Sequence, residues 1–285
     1  MSAASIRHPA LPAMLLLAVT GVAAATAPAA PPAPASPGTP SARQQVVDIV
    51  EKIRRADYEN DRPALKQLHA ELAPFVQDEQ FGSRVRYWRG FALWRKAQNA
   101  MNESVDPKEI EQDLALALEE FQQAAAADPK FIDARAGAIS CVGNTMYLNR
   151  ENQTRLQELV TQVRPLIQEA RAAAPDHPRL LWVLGPNLWN TPPERGGGQD
   201  RAIESYLAAL ETWRRQKGTV TDPLEPVWGE PELYMSLSWS YLNRATPDLE
   251  AAEKYALLAL QLVPYWHYTR DILLPQIHEA KAKHN

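Results

Sequence analysis

The sequence predicts an all-α protein built as an array of antiparallel helix pairs, and three observations carry that expectation. Alanine (44) and leucine (32) dominate the 285 residues, whereas valine, isoleucine and threonine together reach 37 and glycine only 12. Straight helix formers therefore abound while β-branched strand formers are scarce. A small–aromatic–small pattern also recurs at helical spacing, each time after another helical stretch and usually ahead of a proline. Finally, the chain repeats itself: YLNR occurs at 147–150 and again at 241–244.

Taken in order, residues 1–25 read as a secretory signal peptide. Arg7 and His8 precede a short apolar run at 11–19, and small residues follow at 22–25. The run is too short for a comfortable membrane span, which needs about 20 residues. Residues 26–42 form a Pro/Ala-rich spacer, expected to be extended and disordered. The folded domain is then 43–285. It opens with a diverged hairpin, 44–58 and 62–75.

The repeats follow. Ala117, Phe121, Ala124 and Pro129 set the pattern, with Asp128 before the proline. Ala252, Ala256, Ala259 and Pro264 repeat it with alanine in the aromatic slot, and Ala202, Tyr206 and Ala209 repeat it without the proline. A weaker copy ends at Ala170 and Pro175. The physical reading is that small residues let two helices approach closely, the aromatic fills the next hairpin, and proline stops the second helix. First helices carry Tyr234, Leu237, Ser238 and Tyr241, with poorer copies at Trp182/Gly185 and Trp88/Gly90. Asn149, Asn190 and Asn243 each fall where a first helix should end, and asparagine tolerates a left-handed cap. Residues 266–283 read as a solvating C-terminal helix, which an array needs because its end repeat has no neighbour.

These residues resemble the tetratricopeptide-repeat (TPR) superfamily over roughly residues 81–264. The resemblance implies a right-handed superhelical TPR-like α-solenoid. It also implies a concave groove lined by the first helices, where a peptide or protein segment docks. The gaps between the three asparagines, 41 and 53 residues, are irregular. In this the protein is similar to degenerate arrays of exported bacterial proteins, such as the periplasmic component of TRAP-type transporters.

Composition narrows the chemistry. A net charge of −4 does not fit a nucleic-acid footprint, which is strongly basic. The single cysteine, Cys141, excludes an intramolecular disulfide framework and reads as a small core hydrophobe. No HExxH, GxSxG or P-loop motif occurs, and the six histidines never fall at i, i+4. No metal, cofactor or catalytic residue is therefore assigned. Two features remain. Eight tryptophans concentrate in the first helices, making Trp182, Asn187, Trp189, Tyr234, Trp239 and Asn243 the candidate groove. Trp228 is assigned to the Pro-rich loop 218–231, where its truncation should matter less than that of a groove tryptophan. The turn Arg195-Gly196-Gly197-Gly198 precedes an amphipathic helix. It reads either as an anion site at a helix N-terminus or, more simply, as a tight connection. The functional expectation is a non-enzymatic protein–protein interaction module of the cell envelope, periplasmic or secreted, touching the membrane only if the export signal is retained. The alternative is a helical small-ligand-binding or transporter-accessory protein.

Overall fold

The computed structural model describes residues 41–284; the expected signal peptide and nearly all of the spacer lie outside them. Eleven α-helices and no strand occur among the described residues. They run as consecutive pairs: α1 (Ala42–Tyr58) with α2 (Arg62–Glu71), α3 (Gly82–Ala100) with α4 (Pro107–Ala127), α5 (Ile132–Leu148) with α6 (Gln153–Ala173). The series continues with α7 (Pro178–Asn190) and α8 (Gln199–Gln216), then α9 (Glu230–Asn243) and α10 (Leu249–Leu262). A π-helical turn, Tyr268–Leu273, leads into α11 (Leu274–His284). No helix among the described residues is long and apolar enough to cross a membrane.

Local chemistry sets the helix ends. Ser41, Asp61, Asp106, Asn152 and Asp248 each accept a hydrogen bond from a backbone N–H of the first turn they precede. At the other end, Asp128, Ala174 and Val263 stand immediately before prolines. Their φ/ψ values of −135/94°, −154/76° and −134/80° have left the helix, because the following proline ring clashes with a helical residue before it.

The repeat register is the packing register. Ala117, Phe121 and Ala124 of α4, Ala170 of α6, Ala202 and Ala209 of α8, and Ala252, Ala256 and Ala259 of α10 are all fully buried. Phe121 lies between α3 and α5: a methyl group on Gly137 would sit 2.6 Å from its ring, and one on Gly90 3.1 Å. Tyr206 packs in the same way over Gly185, where a methyl group would overlap its ring. In the last pair Ser238 takes the small position and donates to the Ala252 carbonyl at 2.7 Å.

The asparagines at the first-helix ends behave differently from expectation. None is left-handed; among the described non-glycine residues only Asn60 has positive φ. Asn149, Asn190 and Asn243 instead donate from Nδ2 to the carbonyl four residues back, at 2.9, 2.8 and 2.8 Å. In the repeated motif the asparagine amide folds back on the last helical turn and gives its carbonyl a donor beside the backbone one, as at Thr145, which also accepts from the Asn149 N–H at 3.1 Å.

The π-helical turn and α11 cover the last pair through Leu273 and Ile277, which pack on Ala252 and Ala256. The segment leading into it also reaches the start of the array. Tyr58 at the end of α1 meets Trp266 edge-on, ring centroids 5.1 Å apart, and its hydroxyl donates to Glu232 of α9 at 2.6 Å. The first and last helix pairs are thus brought into direct contact.

Candidate functional site

The first helices do not line an empty groove. Their inner face is filled by the connection between α8 and α9, whose Leu224 and Trp228 are buried. Trp88 donates from Nε1 to the Leu224 carbonyl at 2.8 Å, and Trp228 donates from Nε1 to the Tyr87 hydroxyl at 2.7 Å. Arg179 donates to the Trp228 carbonyl at 2.9 Å. The Trp228 ring lies 5.4, 5.8 and 5.5 Å from those of Phe91, Trp94 and Trp182. Ion pairs fasten the same loop from outside, Arg84 to Glu225 at 2.7 Å and Arg43 to Asp222 at 2.6 Å. Trp228 lies in the loop, as expected, but the expectation that its truncation matters less is corrected: its ring stands at the centre of the aromatic core. Leu224 and Trp228 of this Pro-rich loop turn their side groups inward while their carbonyls accept from Trp88 and Arg179.

Two buried charge clusters flank this core. Asp133 of α5 is paired with Arg179 of α7, with His177 3.6 Å away. Burial pushes the Asp133 carboxyl up, but the charge and hydrogen bonds of Arg179, with His177 beside it, outweigh burial and hold it below the usual carboxylate range. The second cluster places one cation among two acids. Arg95 of α3 donates to Asp57 at 2.8 Å, and Glu232 accepts from Tyr58 nearby. Burial raises both the Asp57 and the Glu232 carboxyl against the opposing pull of Arg95.

Beside the plugged face lies a cavity of about 630 Å³. Its walls come from α1 (Arg54, Arg55, Tyr58), the end of α8 (Trp213), the loop (Val220, Val227, Trp228), the end of α10 (Leu262) and the α10–α11 connection (Tyr265). Val220, Val227 and Leu262 are exposed to 45, 36 and 45%, so the cavity opens to solvent through apolar side groups. Two wall donors, Arg54 Nε and Trp213 Nε1, are buried and have no hydrogen-bond partner. Nothing in the sequence pattern joined α1 to this loop. The signal present was the Arg54-Arg55-Tyr58 run on one helix and an unusually apolar loop.

The structure divides the candidate groove residues. Trp182 is buried and donates from Nε1 to Ser236 Oγ at 2.8 Å. Tyr234 is buried too, its hydroxyl donating to Glu230 at 3.3 Å. Trp189 and Trp239 meet edge-on, centroids 5.1 Å apart, near the exposed ends of α7 and α9, where Asn187 and Asn243 are exposed. The six thus form two separate groups, two residues inside and four at one edge.

The Gly-rich turn is a connection held by its own backbone. Gly196 and Gly198 have φ of 82° and 106°, and a methyl group on Gly197 would overlap Thr191. The Gly198 N–H donates to the Leu188 carbonyl at 2.9 Å, while Arg195 is exposed. Gln199 and Asp200 bind the next turn, through the Ala245 N–H and Arg244. Cys141 is buried and its thiol is pushed well up by desolvation, as suits a core residue. Among the described residues no three His, Cys, Asp or Glu side groups are placed together to hold a metal ion.

No protein-family model and no curated protein matches the sequence. Among solved structures, the HusA haemophore from Porphyromonas gingivalis is similar, with 18% identity and a TM-score of 0.57 over 74% of this protein and 100% of that one. A thermophilic TPR protein of Thermus thermophilus also aligns, with 17% identity and a TM-score of 0.48 over 85% of this protein and 100% of that one. The likeness to the haemophore is one of fold alone, and the fold is an all-α, TPR-like array of helix pairs.

Proposed function

We propose that this protein is a non-enzymatic, exported binding protein that holds a small organic ligand in the cavity between α1, the α8–α9 loop and the α10–α11 connection. The observation that carries this is the filled inner face. Where a peptide would lie along the first helices, the protein's own Leu224 and Trp228 are packed. The adjoining cavity, at about 630 Å³, has the size of ordinary small-molecule sites, and it has the aromatic and aliphatic walls such sites use. That a haemophore has the same fold supports a small-molecule role for such an array. The test is native purification followed by mass spectrometry of extracted small molecules. Val227→Trp, which fills the mouth, should lose a compound that the unaltered protein retains. Identical small-molecule content in both would overturn the reading.

A protein partner is the second reading, and it belongs to another surface. The Trp189–Trp239 pair, with Asn187 and Asn243 exposed beside it, has the rigid aromatic character of binding hot spots. Trp239→Ala should then weaken capture of a partner by about thirtyfold, the equivalent of about 2 kcal/mol. Unchanged capture by the folded variant rejects this surface.

A further inference from the structure

We infer that the cavity takes an organic anion, an apolar or aromatic body carrying an anionic oxygen head. This rests on the proposal that the cavity is a ligand site, and it names the ligand's chemistry. Arg54 Nε and Trp213 Nε1 come from different helices, both residues line the cavity, and both N–H groups are buried without a partner. Such groups are rare in folded proteins because stranding a donor costs stability. Neither a guanidinium nor an indole can accept a hydrogen bond, so what satisfies them must be an acceptor.

The charges of the wall point the same way. Arg55 is engaged by Glu59 at 2.6 Å, Lys217 by Glu230 at 2.9 Å, and Arg179 by Asp133. Among the described residues no carboxylate pairs with Arg54. Of the two acids on the wall, Glu230 is held by Lys217 and Tyr234, while Glu51 is exposed at the edge. The wall therefore offers an anionic head one uncommitted guanidinium, and the Trp213 indole N–H on a second helix stands without an acceptor. Its body meets Val220, Val227, Leu262 and the Tyr265 ring. Charge-assisted hydrogen bonds of this kind are the stronger class, and they discriminate anion from neutral isostere.

The full-length protein should be titrated with two fluorescent probes of nearly the same shape, 8-anilinonaphthalene-1-sulfonate and its uncharged counterpart N-phenyl-1-naphthylamine. The anion should bind at least about tenfold more tightly. Trp213→Phe keeps the ring and removes the N–H; Arg54→Met keeps the stem and removes the charge. Each should weaken the sulfonate about tenfold and leave the neutral probe unchanged, with circular dichroism confirming the fold. Two variants on different helices keep the test decisive if one of them misfolds. Equal affinity for the two probes, or equal losses of both in the donor variants, overturns the anion assignment while the cavity remains a ligand site. If Val227→Trp leaves both probes bound, they sit elsewhere, and the cavity reading fails with it.

Discussion

Glu232 is buried near Asp57, and of the two acids only Asp57 is hydrogen-bonded to the Arg95 guanidinium. Two acids for one cation leave an excess negative charge in the interior, where burying charge is costly. The sign follows from the raised carboxyl of Glu232. An acid whose folded pKa lies above its unfolded value favours the fold while protonated. It loses that contribution as pH rises from the unfolded value through the folded one. Glu232→Gln can still accept from the Tyr58 hydroxyl while leaving Asp57 and Arg95 as a matched pair. It should therefore raise the thermal midpoint at pH 7 by about 2–4 °C, roughly 1 kcal/mol for a protein of this size. The gain should vanish below about pH 4, where the unfolded-state carboxylate is itself protonated. A lower midpoint at pH 7 would show that the ionised Glu232 contributes net stability.

At the scale of the helix pair, the alanines of the repeat are the points of closest approach. Ala124 and Ala259 have no exposed surface, so enlarging either overpacks a crossing with no room to yield. Ala124→Leu or Ala259→Leu should each cost about 1–3 kcal/mol, seen as a lower thermal midpoint. An unchanged midpoint would place these residues off the crossing. This part of the fold was legible because its causes are local: spacing of 3.6 residues, cap residues, and prolines that stop helices. The buried charges were not, since no local spacing joins Asp133 to Arg179, which lies 46 residues away. The asparagine motif was legible as a helix end but misread in detail. A residue type that serves two helix-end geometries does not say which one a given helix uses.

For the whole molecule, the α8–α9 loop is the central structural element. Trp228→Ala removes a ring that touches three other aromatics and Arg179, and should cost about 3–5 kcal/mol. Trp239→Ala, at a half-exposed position, should change stability by less than about 1 kcal/mol. Chemical denaturation of the two variants decides this; comparable losses would mean that the loop is peripheral. The candidate site was illegible for the same reason that the loop was: it is assembled from α1, α8 and the two longest excursions from the repeat. Joining Tyr58 to Glu232 across 174 residues, and Arg43 to Asp222 across 179, also has a kinetic consequence. An open solenoid can mature repeat by repeat as it is made. Here the end of the first helix gains the last of its buried partners, Trp266, only once position 266 has been synthesised, some 200 residues after Tyr58. At about 5–20 residues per second, that helix waits on the order of 10–40 s on the ribosome with an unfinished face, an interval in which a chaperone could hold it unfolded.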